Sequence, residues 1–154
     1  MTADLLAWLG PIYLLAVAWP LTRIDLRERR LPNRLVVPAF PITLFGQLLA
    51  AFIGGSWMSL AIALACGLGA FVIGLLVNHF ANLGMGDVKL IAAITLALAW
   101  FNPLSPFIAL LLGFAVATVV VVAMLIRRKI KMGSTVALGP YLLVGFALAL
   151  AGQF

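Results

Sequence analysis

The chain has 154 residues, 66% of them hydrophobic and 9% charged, with a mean hydropathy of +1.24. About a quarter of a soluble domain is charged, so this composition excludes an ordinary water-soluble fold. The formal charge of +6 would suggest nucleic acid in a soluble protein, but here the positions of the basic residues explain it and no nucleic-acid partner is expected. The single cysteine, Cys66, lies inside an apolar run, which excludes a disulfide framework and a CxxC metal knuckle.

Six apolar runs read as spans, at residues 5–24, 35–54, 59–78, 88–101, 104–126 and 135–151. No polar stretch between them is long enough to fold separately. The expected architecture is all-α, a single domain over residues 1–154 built as a bundle of six transmembrane helices. The segment Met1-Thr2-Ala3-Asp4 carries no basic residue, so no cleavable signal peptide is read there.

Six spans place all ten Lys and Arg on one side. Arg23, Arg27, Arg29, Arg30 and Arg34 lie in or beside the first connection, Lys89 after the third, and Arg127, Arg128, Lys129 and Lys131 in the fifth. The connections at 55–58 and 102–103 carry no charge. The excess of Lys and Arg on cytoplasmic loops makes the basic side cytoplasmic and puts both termini outside, as expected of a multi-pass protein of the cell inner membrane. The arginines are suited to anionic lipid headgroups. Trp8, Trp57 and Trp100 fall at outer span ends and Trp19 near an inner one, where amphipathic rings are favoured. In the third span, Ala65 with Gly69 and Ala70 with Gly74 are small residues four apart, a spacing that lets helices approach closely.

The fourth span is short. Its residues 88–101 cover roughly 21 Å of a hydrocarbon core about 30 Å thick. The stretch 80–86 is therefore expected to dip into the membrane as non-helical backbone, covered by protein or lining a water-filled cavity.

Four acids remain. Asp4 lies in the outer tail, and Glu28 among arginines, where exposed ion pairs are worth little. Asp25 closes the first span and is followed by the turn Leu31-Pro32-Asn33, which can fold the loop back toward the bundle. Asp87 opens the fourth span and is expected to be its N-cap. An ionisable group at membrane depth is costly and marks a functional site by default. Gly84 and Gly86 permit positive φ and leave Asp87 approachable by a substrate backbone. Lys89 is expected to reach headgroups or pair with an acid.

Two close aspartates can hydrolyse a peptide bond without metal or covalent intermediate. They share one proton; the ionised member takes a proton from water and the protonated member donates to the carbonyl oxygen. Helix ends favour Asp87, at a helix N-terminus, as the anion and Asp25, at a helix C-terminus, as the acid. Other hydrolytic equipment is missing. His79 is the only histidine and is read as an interfacial polar residue, there is no H-E-x-x-H or G-x-S-x-G, and Cys66 has no basic partner. No metal or cofactor is expected.

Gly84-Met85-Gly86-Asp87-Val88-Lys89-Leu90 resembles the GxGD-V-K-L signature of the type IV prepilin peptidase family, membrane aspartic proteases of the GxGD class. The segment from Asp25 through the basic stretch to Leu31-Pro32-Asn33 resembles that family's first catalytic segment. Ala137-Leu138-Gly139-Pro140-Tyr141-Leu142 resembles its late Phe-Gly-Pro-Phe-Leu segment, with Ala-Leu and Tyr substituted. The resemblance implies Asp25 and Asp87 as the catalytic pair. It implies Gly84, Gly86 and Lys89 in the active-site loop, and Pro32, Asn33, Gly139 and Pro140 as structural residues near it. It further implies that the substrates are prepilin or pseudopilin precursors, cut just after a glycine at the cytoplasmic membrane face. The paired CxxC motifs of the family's methyltransferase region are absent from this sequence, so peptidase activity without N-methylation is expected, as in the short tight-adherence (Flp) pilus peptidases.

Two other classes compete with this reading. A small proton-coupled transporter or channel subunit would also carry intramembrane acids, but the chain lacks inverted-repeat symmetry. A non-catalytic scaffold of a secretion complex would tolerate loss of either aspartate.

Overall fold

A computed structural model describes residues 2–81, 83–128 and 136–153, and every regular element among them is helical. Helix α1 (Thr2–Ala7) leads through Trp8 into α2 (Leu9–Glu28), and α3 (Asn33–Val36) into α4 (Ala39–Gly54). Then come α5 (Trp57–Ala81), α6 (Met85–Ala99), α7 (Ser105–Ile126) and α8 (Gly139–Ala151). Joined in this way, the eight helices make six rods. Four rods are long and apolar enough to cross a membrane: Leu5–Glu28, Asn33–Gly54, Trp57–Ala81 and Ser105–Ile126. The chain is a multi-pass membrane protein.

The fourth rod is as short as expected, shifted toward the N-terminus by two to three residues, and the sixth is shorter than the span expected of it. Helices α6 and α8, with 15 and 13 residues, reach only about 22 and 20 Å at about 1.5 Å per residue. Helix α8 starts at Gly139 rather than near 135, with Pro140 in its first turn. Proline has no N–H for an upstream carbonyl, so it belongs at a helix start. Lys129, Lys131 and Thr135 lie outside the described residues.

Helix α6 is the centre of the bundle. All residues from 90 to 100 are buried, and α2, α3, α4, α5, α7 and α8 all pack against it. An all-round apolar helix is a buried one, and longer neighbours screen this one from lipid, so it need not span the full thickness. Its last carbonyls have no partner within the helix. One of them, on Leu96, accepts a hydrogen bond from Gln47 Nε2 of α4 at 2.8 Å.

Of the two small-residue pairs read in α5, Ala65 with Gly69 does not serve the contact with α6: a Cβ on Gly69 would meet nothing within 4 Å, and Ala65 is exposed. Ala70 of the second pair packs on the core and Gly74 makes the close approach, joined by Gly67. Leu96 and Val88 lie 3.1 and 2.7 Å from where the Cβ atoms of Gly67 and Gly74 would stand. Seven residues make about two helical turns, so these two glycines share a face, and the bulk of Leu96 and Val88 selects it. Helices α7 and α8 come closer still. A Cβ on Gly145 would stand 2.2 Å from the Ala109 carbonyl oxygen and 2.8 Å from Gly113 Cα.

Candidate active site

Helix α2 runs one turn past the expected end of the first span, so Asp25 lies inside its last turn and is buried, 4% exposed. Arg29 ends the helix in the left-handed conformation, φ 52°, and its N–H donates to the Asp25 carbonyl at 2.8 Å. The chain then reverses. Pro32, extended at φ −71° and ψ 125°, precedes the short helix α3, which begins at Asn33. The loop folds back onto the bundle as expected, but through extended backbone at Pro32 and a helix start at Asn33 rather than a turn over 31–33. Tyr13 Oη donates to the carbonyl of Leu35 at 2.9 Å, which braces the far side of this loop against α2.

Asp87 is not the N-cap expected of it. Gly84 occupies that position, with no side-chain cap hydrogen bond, and Asp87 is the third residue of α6. Its carboxylate folds back over Gly84: a Cβ there would stand 2.8 Å from Asp87 Oδ2. Gly84 has φ −58°, and among the described residues Gly55 is the only glycine with positive φ. The motif glycines therefore supply space rather than left-handed backbone. At Gly86 the space is taken by Leu31, whose Cβ lies 2.7 Å from where a Gly86 Cβ would stand. The non-helical dip expected over 80–86 is also shorter than anticipated. Helix α5 continues to Ala81 and α6 starts at Met85, and Asn78 Nδ2 donates to the Leu83 carbonyl across the turn. His79 is exposed, with its ring edge-on to Phe80.

The third element comes from the far end of the chain. The N–H of Gly139, first residue of α8, donates to Asp25 Oδ2 at 3.0 Å. A Cβ on Gly139 would stand 2.7 Å from that same oxygen. Asp25 thus belongs to the C-terminal turn of α2, yet its carboxylate rests on the N-terminal amide of α8. The helix-end bias that favoured Asp25 as the acid is offset by this contact, because both carboxylates now sit at helix N-termini. Pro140, next in α8, helps define that helix start.

Asp25, Leu31, Asn33, Gly86, Asp87 and Lys89 line one cavity of about 290 Å³. Both carboxylates border this one cavity. Lys89 Nζ donates to Asn33 Oδ1 at 3.0 Å, a tie between α6 and α3. No group of three or more His, Cys, Asp or Glu able to hold a metal occurs among the described residues. Every site residue named from the sequence lies in this cavity or on a helix start beside it. Tyr13 and Gln47 are not anticipated from the sequence, and Leu31 is anticipated only as part of the Leu31-Pro32-Asn33 turn. Gln47 does carry a sequence signal, as a lone amide inside the apolar run 35–54.

Neither a curated protein nor a solved structure matches the chain. A family profile does, over residues 12–126, a stretch that holds both aspartates and ends before Gly139. That match covers most of the sequence and is described as the type IV leader peptidase family, to which the chain belongs as a multi-pass membrane peptidase.

Proposed function

We propose that this peptidase is an aspartic endopeptidase in which Asp25 and Asp87 act as a pair on one water. The substrates are type IV prepilin-like precursors, prepilins or pseudopilins, cut after a glycine at the cytoplasmic face of the inner membrane. The observation that carries the reading is the shared cavity: two carboxylates from distant parts of the chain line it together. Two carboxylates brought together on one water in that cavity retain one proton between them. One carboxylate accepts a proton from the water as it attacks the scissile carbonyl. The other donates its proton to the carbonyl oxygen, and the roles reverse as the tetrahedral intermediate collapses. Every atom is accounted for by the two side chains, the water and the peptide.

In the proposed topology the chain is one domain of six spans with both termini outside. The helix ends that meet at the cavity are also those beside Arg27, Arg29, Arg30, Arg34 and Lys89, and a basic cluster of this kind belongs on the cytoplasmic side. The product is released without N-methylation. A proton-relay role is less well supported, because both acids lie in one cavity rather than along a path across the bundle.

The test is cleavage of a tagged candidate precursor co-expressed with wild type, Asp25→Asn or Asp87→Asn. Loss of cleavage in both variants, at normal membrane levels, is the expected outcome. The mass of the new terminus should be that of an unmethylated amine. Cleavage that survives either substitution ends the two-aspartate mechanism.

A further inference from the structure

Leu31 touches both helix starts that serve the two aspartates. A Cβ on Gly86 would stand 2.7 Å from Leu31 Cβ and 3.4 Å from its Cα and N. A Cβ on Gly139 would stand 3.1 Å from Leu31 Cδ2. One leucine therefore packs on the residue before Asp87 and on the residue whose amide holds Asp25. It also lines the cavity that both carboxylates share. The loop that carries it is braced on each side. Arg29 N–H bonds to the Asp25 carbonyl at 2.8 Å, Tyr13 Oη to the Leu35 carbonyl at 2.9 Å, and Lys89 Nζ to Asn33 Oδ1 at 3.0 Å. These bonds hold the backbone on both sides of Leu31, and the first turns of α6 and α8 pack on its side chain, which stands as a wall of the cavity.

We infer that Leu31 is the specificity-determining residue of this peptidase, excluding all but the smallest side chain from one residue flanking the scissile bond. The inference rests on the proposed reading of Asp25 and Asp87 as the cutting pair. A carbonyl that receives water and a proton from those carboxylates must come within hydrogen-bond reach of them. The residues on either side of the bond then enter the same cavity of about 290 Å³, where Leu31 occupies the space between the first turns of α6 and α8. A single methylene changes discrimination by roughly 10- to 200-fold in an apolar pocket. This cavity is lined largely by charged side chains, with Leu31 and Met85 as its apolar wall, so the lower end of that range is the one expected.

The experiment uses the full chain in membranes with a tagged precursor. The residue before the bond, and separately the one after it, is varied through Gly, Ala and Val. Wild type, Leu31→Ala and Leu31→Val are compared by the ratio of kcat/KM on the Ala or Val precursor to that on the Gly precursor. At one of the two positions, Leu31→Ala should raise the Ala-to-Gly ratio about tenfold or more, and Leu31→Val should raise it less, in the same direction. A folding defect lowers cleavage of all substrates alike and leaves the ratio unmoved, so Leu31→Val carries the test if Leu31→Ala does not accumulate. Ratios unchanged at both positions overturn the inference. Failure of the underlying function shows separately, as wild-type cleavage that persists in Asp25→Asn or Asp87→Asn.

Discussion

Gly139→Ala is expected to disarm the site while leaving the bundle folded. The new methyl would stand 2.7 Å from Asp25 Oδ2 and 3.3 Å from Asp25 Cγ, where ordinary contact begins at 3.4 Å. The carboxylate must withdraw by about 0.7 Å to restore that contact, and the hydrogen bond from Gly139 N–H, now 3.0 Å, is lost or strained. A hydrogen bond to a charged group is worth about 1.5–3 kcal/mol. At about 1.36 kcal/mol per tenfold in rate, that predicts a fall in kcat/KM of roughly 10- to 100-fold. A displacement near 1 Å elsewhere costs about the upper figure. The assay is precursor cleavage in detergent, normalised to the amount of folded protein. Gly69→Ala is the matched control, because its methyl meets nothing within 4 Å. A Gly139→Ala enzyme as active as the control would refute the idea that the α8 amide sets the Asp25 carboxylate for catalysis.

A shared proton predicts a bell-shaped pH profile of kcat/KM for wild type, with apparent constants that belong to the pair; a profile with a single limb would count against sharing. Gln47→Leu removes the bond to the Leu96 carbonyl, but it also removes Gln47 Oε1, a buried acceptor without a hydrogen-bond partner among the described residues. Intramembrane bonds of this kind average about 0.6 kcal/mol, so thermal unfolding in detergent should shift only slightly, and a collapse of stability would show a larger role for Gln47. Asn33→Ala and Lys89→Met should be non-additive in stability because they break the same bond. A coupling energy of about 0.5 kcal/mol or more in a double-mutant cycle is expected, and full additivity would deny the tie.

Membrane class was legible in the residue order, as were the two aspartates proposed as the pair, because hydropathy and charge act locally and need no partner to be read. The long apolar runs led directly to four membrane-length rods, and the GxGD segment marked Asp87. The cap assignment of Asp87 erred by three residues, since a glycine can also begin a helix and only the backbone shows which residue does. Of the two roles read for Gly84 and Gly86, positive φ is not used and free space is: the neighbour that fills the space, Asp87 Oδ2 or Leu31 Cβ, decides which role a glycine serves. In α5 the spacing of small residues offered several faces, and α6 selected the one with Gly67 and Gly74. The Gly139 amide on Asp25, Leu31 between two helix starts, and Gln47 on the last turn of α6 are long-range contacts. The sequence by itself determined the solvent of this protein and the side chains that carry its proposed chemistry. Tertiary packing alone decided how those side chains are held and what stands beside them, because a contact between distant segments depends on the shape and crossing of whole helices.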